Sequence, residues 1–266
     1  MIVIENPYEA PIVDSDSLDI LGLGIVTITD KAHNVFYVKG IGNSLMNKMI
    51  QLYKEEIRLK QEGKIIDLVG GYTVYIHFYK LDYEIISIFY LNEKDKLVKY
   101  EDLCKFSKKL LKTVTSRMAA SDLNKICKEA VPCVTGVSAL FIISTTGHSL
   151  FKKIRKDKEY LSDNCIQIGG FISAILMFAN EVVGKHSGDN LEAISFANQK
   201  IYLIVRGEVI FAYLVEKSIV SNNAKRFIEL LSEDFLMNYS EHLTDFNGDL
   251  GPFEKFGKVV DKYFII

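Results

Sequence analysis

Alternation and spacing of apolar residues divide the chain into two runs of elements with the same order. Gly22–Thr29 ("GLGIVTIT") and Asn34–Lys39 ("NVFYVK") read as strands, with a hairpin turn between them. A helix is predicted over 44–62, where Leu45, Met49, Leu52, Tyr53 and Ile57 recur at three and four, opposite lysines and glutamates. Three strands rich in Tyr, Val, Ile and Phe follow: 64–69, 72–80 and 83–91, the last two joined by a hairpin at Leu81-Asp82. Helices over 100–118 and 121–130 close the run, the second with Ser121 as a cap and stopping before Pro132.

The same order then restarts. Strands are predicted over 136–145 and 148–155, a helix over 165–184, and strands over 191–197, 200–206 and 209–216. Asn222 or Asn223 caps a helix reaching His242, with Ala224, Phe227, Ile228, Leu231, Phe235 and Tyr239 along its apolar side. A last helix runs from Pro252 to Tyr263. The chain therefore spells β-β-α-β-β-β-α-α twice. The expected fold class is α+β, with two consecutive domains at 21–131 and 132–266, each a five-stranded antiparallel sheet flanked by helices. Residues 1–20 form an arm, in which "MIVIE" either stays loose or adds to a sheet edge.

The helix over Cys165–Gly184 ("CIQIGGFISAILMFANEVVG") is the most apolar stretch. A membrane span needs about 20 apolar residues. Asn164, Gln167, Asn180 and Glu181 bracket a shorter run, which favours a helix of a soluble fold. On a helical wheel, Ile168, Phe171, Ile172, Ile175, Leu176, Phe178, Ala179, Val182 and Val183 share one side, expected to seal the sheet. Gly169, Gly170, Ser173, Ala174, Met177, Asn180 and Glu181 share the other, expected to face outward. Glycine inside a helix costs about 1 kcal/mol relative to alanine. The pair Gly169-Gly170 therefore implies either a closely packed neighbour or a loose first turn. The neighbour could be the other half, a second copy or a different protein.

Charge changes the picture at two places. Lys152, Lys153 and Arg155, in "FKKIRKDKEY", mark either a protected strand edge or a charged rim for an acidic protein or an anionic lipid head. Lys105, Lys108, Lys109 and Lys112 form a ridge opposite Leu103, Phe106, Leu110, Leu111, Val114 and Met118. That ridge reads as a solvated face, or as a contact for an anionic membrane or acidic partner. With Lys+Arg 32 against Asp+Glu 34 over 266 residues, the chain is not a general polyanion binder. It also lacks the arginine–aromatic platform and zinc spacing of nucleic-acid readers, so no nucleic acid is expected.

Catalytic signatures are missing. The five histidines form no H-E-x-x-H pattern, and none pairs with a cysteine at zinc spacing, so no metal is expected. "GVSAL" is not a nucleophile elbow. Gly40-x-Gly42 opens a helix but lacks a third glycine and follows a hairpin, so no dinucleotide or other cofactor is expected. His77 and His148 take structural or surface roles. The four cysteines read as reduced packing residues of a cytosolic protein, and the N-terminus does not read as a signal peptide.

The repeated order, and above all "ALFIIST…GGFISAILMFANEVVG…LEAISFA…KIYLIVRGEVIFAYLV", resembles two longin domains in tandem, of the longin and roadblock superfamily. The resemblance covers about residues 20–266. It implies a sheet with one helix on one face and the terminal helices on the other. It further implies partner binding through strand edges and the first helix, to small GTPases, to another longin or roadblock protein, or to GTPase-regulating and vesicle-trafficking complexes. Whether the subtype is longin or roadblock stays open, because Ser121–Ala130 could serve as the helix before the first strand of the second domain. The leading expectation is a non-enzymatic cytoplasmic adaptor, peripheral at a membrane in one version. Its partner-binding residues are Gly169, Gly170, Ser173, Ala174 and Met177, rimmed by Lys152, Lys153 and Arg155. The alternatives are a small-molecule sensor or enzyme with a pocket between the domains, and a structural homodimer.

Overall fold

The computed structural model describes residues 18, 20–94, 96, 98–116, 120–184, 191–217 and 223–266. The N-terminal arm with "MIVIE", the end of the helix predicted to 118, the Ser121 side chain and Asn222 lie outside what is described.

The first sheet contains β1 (Gly22–Ile28), β2 (His33–Lys39), β3 (Gly63–Val69), β4 (Tyr72–Leu81) and β5 (Glu84–Glu93) in the order β2-β1-β5-β4-β3. Helix α1 (Asn43–Lys60) joins β2 to β3, and α2 (Tyr100–Thr115) and α3 (Ala120–Ala130) follow β5. The central strands β1, β4 and β5 read as nearly continuous apolar runs, because both faces of the sheet are covered. Antiparallel register places Ile88 opposite both Ile25 and His77, and Tyr90 opposite both Leu23 and Tyr75. That face carries α2. Asp82, at φ 43°, makes the tight β4–β5 turn.

The second sheet repeats the arrangement with β6 (Val137–Ser144), β7 (Ser149–Ile154), β8 (Ala193–Ser195), β9 (Gln199–Arg206) and β10 (Val209–Glu216), in the order β7-β6-β10-β9-β8. Helices α4 (Tyr160–Asp163) and α5 (Cys165–Ala179) lie between β7 and β8. After β10 come α6 (Asn223–Thr244), α7 (Gly251–Glu254) and α8 (Gly257–Tyr263). One sheet face carries α5. The other is sealed by rings from the terminal helices: Phe211 meets Phe235 edge-on, Phe151 meets Phe256, and Tyr213 lies against Phe264.

Both halves thus have the expected tandem longin-like topology, β-β-α-β-β-β-α-α. Differences from the expectation are local. A 3₁₀ turn at Lys156–Lys158 and the short α4 precede α5, a π-helical turn (Asn180–Gly184) ends it, and β8 spans three residues. The last helix is broken into α7 and α8. By contacts, the described residues through Tyr37 together with those of 55–131 form one compact unit, and the described residues of 38–54 with those of 132–266 form the other.

Candidate functional site

Helix α5 is half committed to its own sheet. Gly169, Ile172, Ser173 and Leu176, at i, i+3, i+4 and i+7, are its buried residues. Ile172 and Leu176 enter a core with Ala139, Phe141 and Ile143 of β6, Leu203 of β9, and Ile210, Ala212 and Leu214 of β10. At Gly169 the contact is backbone to backbone. A Cβ there would stand 2.5 Å from the carbonyl oxygen of Gly147. Gly147 has φ +91° in the β6–β7 turn, a conformation that favours glycine. Its amide donates to Ser144 O at 2.8 Å, and Ser173 Oγ donates to the neighbouring Thr145 O.

This corrects the expected orientation of the helix. Gly169 and Ser173, assigned to an outward slender side, face inward. Phe171, Phe178, Val182 and Val183, assigned to the sheet, face outward. The cause is the approach of the β6–β7 turn: where a backbone comes this close, only small side chains fit, whatever their polarity. Gly170, Ala174 and Met177 do face outward, as expected, and Asn180 and Glu181 are exposed.

The outer side of α5 and its π-helical extension is therefore more apolar than the wheel suggested. Ile166 is 77% exposed, and Met177 and Phe178 are each 68% exposed, with Phe171, Val182 and Val183 around half. Single exposed apolar residues are ordinary; here six belong to one helix and its extension. Among the described residues, Cys165–Gly184 is the one helix long and apolar enough to cross a membrane, with 22% of that stretch buried in the fold. Its Gly169–Gly147 contact and its Ile172 and Leu176 anchors make it a layer of the second domain.

The basic rim expected beside it does not assemble. Successive strand residues point to opposite faces, so Lys152 and Lys153 part. Lys152 Nζ turns toward α4 and α5, donating to Ser162 O at 3.2 Å and meeting Cys165 Sγ at 3.6 Å. Lys153 Nζ turns toward α8, donating to Gly257 O at 3.3 Å and pairing with Asp261. Arg155 donates to Asp157 Oδ1 at 2.6 Å and also binds Glu216. Its hydrogen bonds hold both carboxyls below the usual carboxylate range. All three cations are thus occupied by the chain's own acceptors.

The α2 ridge is exposed along Lys105, Lys108, Lys109 and Lys112. Lys109 pairs with Glu129 at 2.6 Å, and Lys105 lies 3.9 Å from Asp102. Beneath it lies a polar cluster that sequence reasoning missed. Ser107 donates to Leu103 O at 2.8 Å, directing its single proton along its own helix. Its oxygen also shares hydrogen bonds with Tyr90 OH at 2.6 Å and with His77 Nδ1 at 2.6 Å. Nε2 is buried with no hydrogen-bond partner among the described residues. Burial, and secondarily the nearby Lys64 ammonium, push the His77 pKa down to about 4. Burial likewise pushes the Tyr90 hydroxyl well above its ordinary value. The cluster is a neutral structural knot, consistent with the structural role read for His77.

No group of three or more His, Cys, Asp and Glu converges among the described residues. A cavity of about 460 Å³ in the second domain is lined by Lys158, Tyr160, Phe196, Asn198, Gln199 and Glu216, but its carboxylate is held by Arg155. His148, in the β6–β7 turn, shares a 2.9 Å hydrogen bond with Thr146 Oγ1 and is exposed.

No protein-family model matches the chain. No curated protein matches it either. Among solved structures, the chain is similar to a Roadblock/LC7 domain from Streptomyces avermitilis, with 9% identity and a TM-score of 0.32, over 40% of this chain and 87% of that one. It is also similar to Myxococcus xanthus MglB, with 13% identity and a TM-score of 0.33, over 40% of this chain and 84% of that one.

Proposed function

We propose that the protein is a non-enzymatic adaptor that binds a partner protein through the outer side of α5. The partner class, from the longin-like order of elements, is a small GTPase or a component of a GTPase-regulating or vesicle-trafficking complex. One observation carries the reading: α5 is anchored on its sheet by Gly169, Ile172, Ser173 and Leu176, and yet presents Ile166, Phe171, Met177 and Phe178 to solvent. Gly170 and Ala174 lie among them and leave room for close approach. The apolar centre supplies affinity. The proposed location is cytoplasmic, with the α2 lysines as a peripheral contact for an anionic membrane.

The test is retention of nucleotide-loaded small GTPases by the immobilised chain, with molar mass in solution measured alongside. Wild type retains a partner and Ala174→Arg does not, while both give the same circular dichroism. Retention undiminished in folded Ala174→Arg overturns the assignment of the face. A mass corresponding to two chains, lost in Ala174→Arg, makes the partner a second copy.

A further inference from the structure

Three of the protein's thiols lie against lysine amines that reach them from edge strands: Lys39 of β2, itself buried, places Nζ 3.3 Å from the half-buried Cys133 Sγ, and the other two pairs are more open to solvent. Lys64 of β3 places Nζ 3.4 Å from Cys104 Sγ on α2. Its ammonium also sits 4.6 Å from the centroid of the Tyr100 ring, one turn before Cys104, so that it is held at the sulfur by two contacts. Lys152 of β7 places Nζ 3.6 Å from Cys165 Sγ, the first residue of α5. Cys104 and Cys165 are both partly exposed, whereas Cys127 is buried. All four thiols are free.

We propose that Lys64–Cys104 is an oxidative cross-linking site, with Lys152–Cys165 a second of the same kind, each closing to a lysine–cysteine sulfenamide in the presence of a hydroperoxide. A thiol attacked by peroxide becomes a sulfenic acid, which condenses with a nearby nitrogen. In the first step sulfur loses two electrons and gains a hydroxyl, and the peroxide is reduced to water or an alcohol. In the second, the lysine nitrogen attacks sulfur, the S–O bond breaks and an S–N bond forms. The hydroxyl leaves as water with a proton from the amine. The net loss from the chain is two hydrogens.

The amine must be neutral to react. Contact with Tyr100 and Cys104 raises the Lys64 pKa, so that the ammonium form dominates near neutral pH. Contact offsets this, because well-oriented intramolecular partners reach effective concentrations on the order of 10⁵ M. The reaction therefore outruns capture by solution nucleophiles and speeds up with pH. Each link would tie an edge strand to a helix packed on its own sheet, β3 to α2 and β7 to α5.

The experiment treats the full chain with hydrogen peroxide at pH 8, blocks residual thiols, and maps linked peptides by mass spectrometry, with dimedone as the sulfenic acid probe. The expected result is a Lys64–Cys104 linked peptide two hydrogens lighter than its parts and reversed by dithiothreitol. Lys64→Arg keeps the charge but cannot condense. It should lose the linked peptide and show at least about tenfold more dimedone on Cys104. Equal dimedone labelling in wild type and Lys64→Arg overturns the proposal. So does a disulfide at Cys104, oxidation straight to sulfinic acid, or no oxidation of Cys104 while the chain stays folded. Cys127 should stay unmodified throughout.

Discussion

Adjacent glycines in α5 should respond to alanine with opposite signs. Gly169→Ala brings a methyl to 2.5 Å from Gly147 O, a backbone atom that cannot swing aside. An ordinary contact needs nearly 1 Å more, so α5 must lift from the β6–β7 turn. Overpacking of this kind costs about 1–3 kcal/mol. Lifting also strains the Ser173–Thr145 hydrogen bond, worth about 1 kcal/mol. Alanine returns about 1 kcal/mol of helix propensity. The net is a loss of roughly 1–3 kcal/mol. At Gly170 a Cβ meets nothing within 4 Å, so Gly170→Ala keeps only the propensity term and stabilises by up to about 1 kcal/mol. Urea denaturation followed by circular dichroism measures both. The two alanines shifting the midpoint in the same direction, or Gly169→Ala leaving it unmoved, would refute the close approach of α5 to the turn.

Other outcomes follow from the same contacts. Ser107→Ala strands the Tyr90 hydroxyl and His77 Nδ1 inside the first domain, and should cost about 2–4 kcal/mol in denaturant titrations. His77 has a folded pKa of about 4, below the ordinary 6.5, so the folded state resists its protonation. Its contribution is fully present above pH 6.5 and lost as pH falls toward 4, by about 3 kcal/mol in all. Denaturation midpoints across that window, compared with His77→Leu, check this, and a wild-type profile parallel to the variant's would contradict it. Arg155→Ala leaves Asp157 and Glu216 without their cation and should cost about 1 kcal/mol. The carboxyl pKa values of both should return toward the ordinary range in NMR titrations.

Element order was the most legible part of the chain. Short apolar runs such as "ALFIIST" and "KIYLIVRG", bounded by turn residues, and three-to-four spacing in α2 and α6 place strands and helices within a few residues of their ends, because each depends only on neighbours in sequence. The facing of α5 was not legible. A wheel ranks residues by hydrophobicity, whereas Gly169 and Ser173 turn inward because a distant turn, with Gly147 at positive φ, presses a carbonyl against them. Lys152 and Lys153 were misgrouped for a readable reason, since neighbours on a strand cannot share a face. The Ser107 cluster needed three elements, β4, β5 and α2, to come together, and its serine looks like any polar residue in the sequence. The π-helical turn and the shortness of β8 left no periodic trace.

The most direct test of the adaptor account is the affinity of α5 variants for the small GTPase, or second copy, that wild type retains. Isothermal titration of folded Ala174→Arg and Phe178→Asp should show at least about 100-fold weaker binding, as expected for truncating or charging a buried interface centre, with Lys108→Glu on α2 within about threefold of wild type. Wild-type affinity in both α5 variants, or no retained partner of either kind, would contradict it.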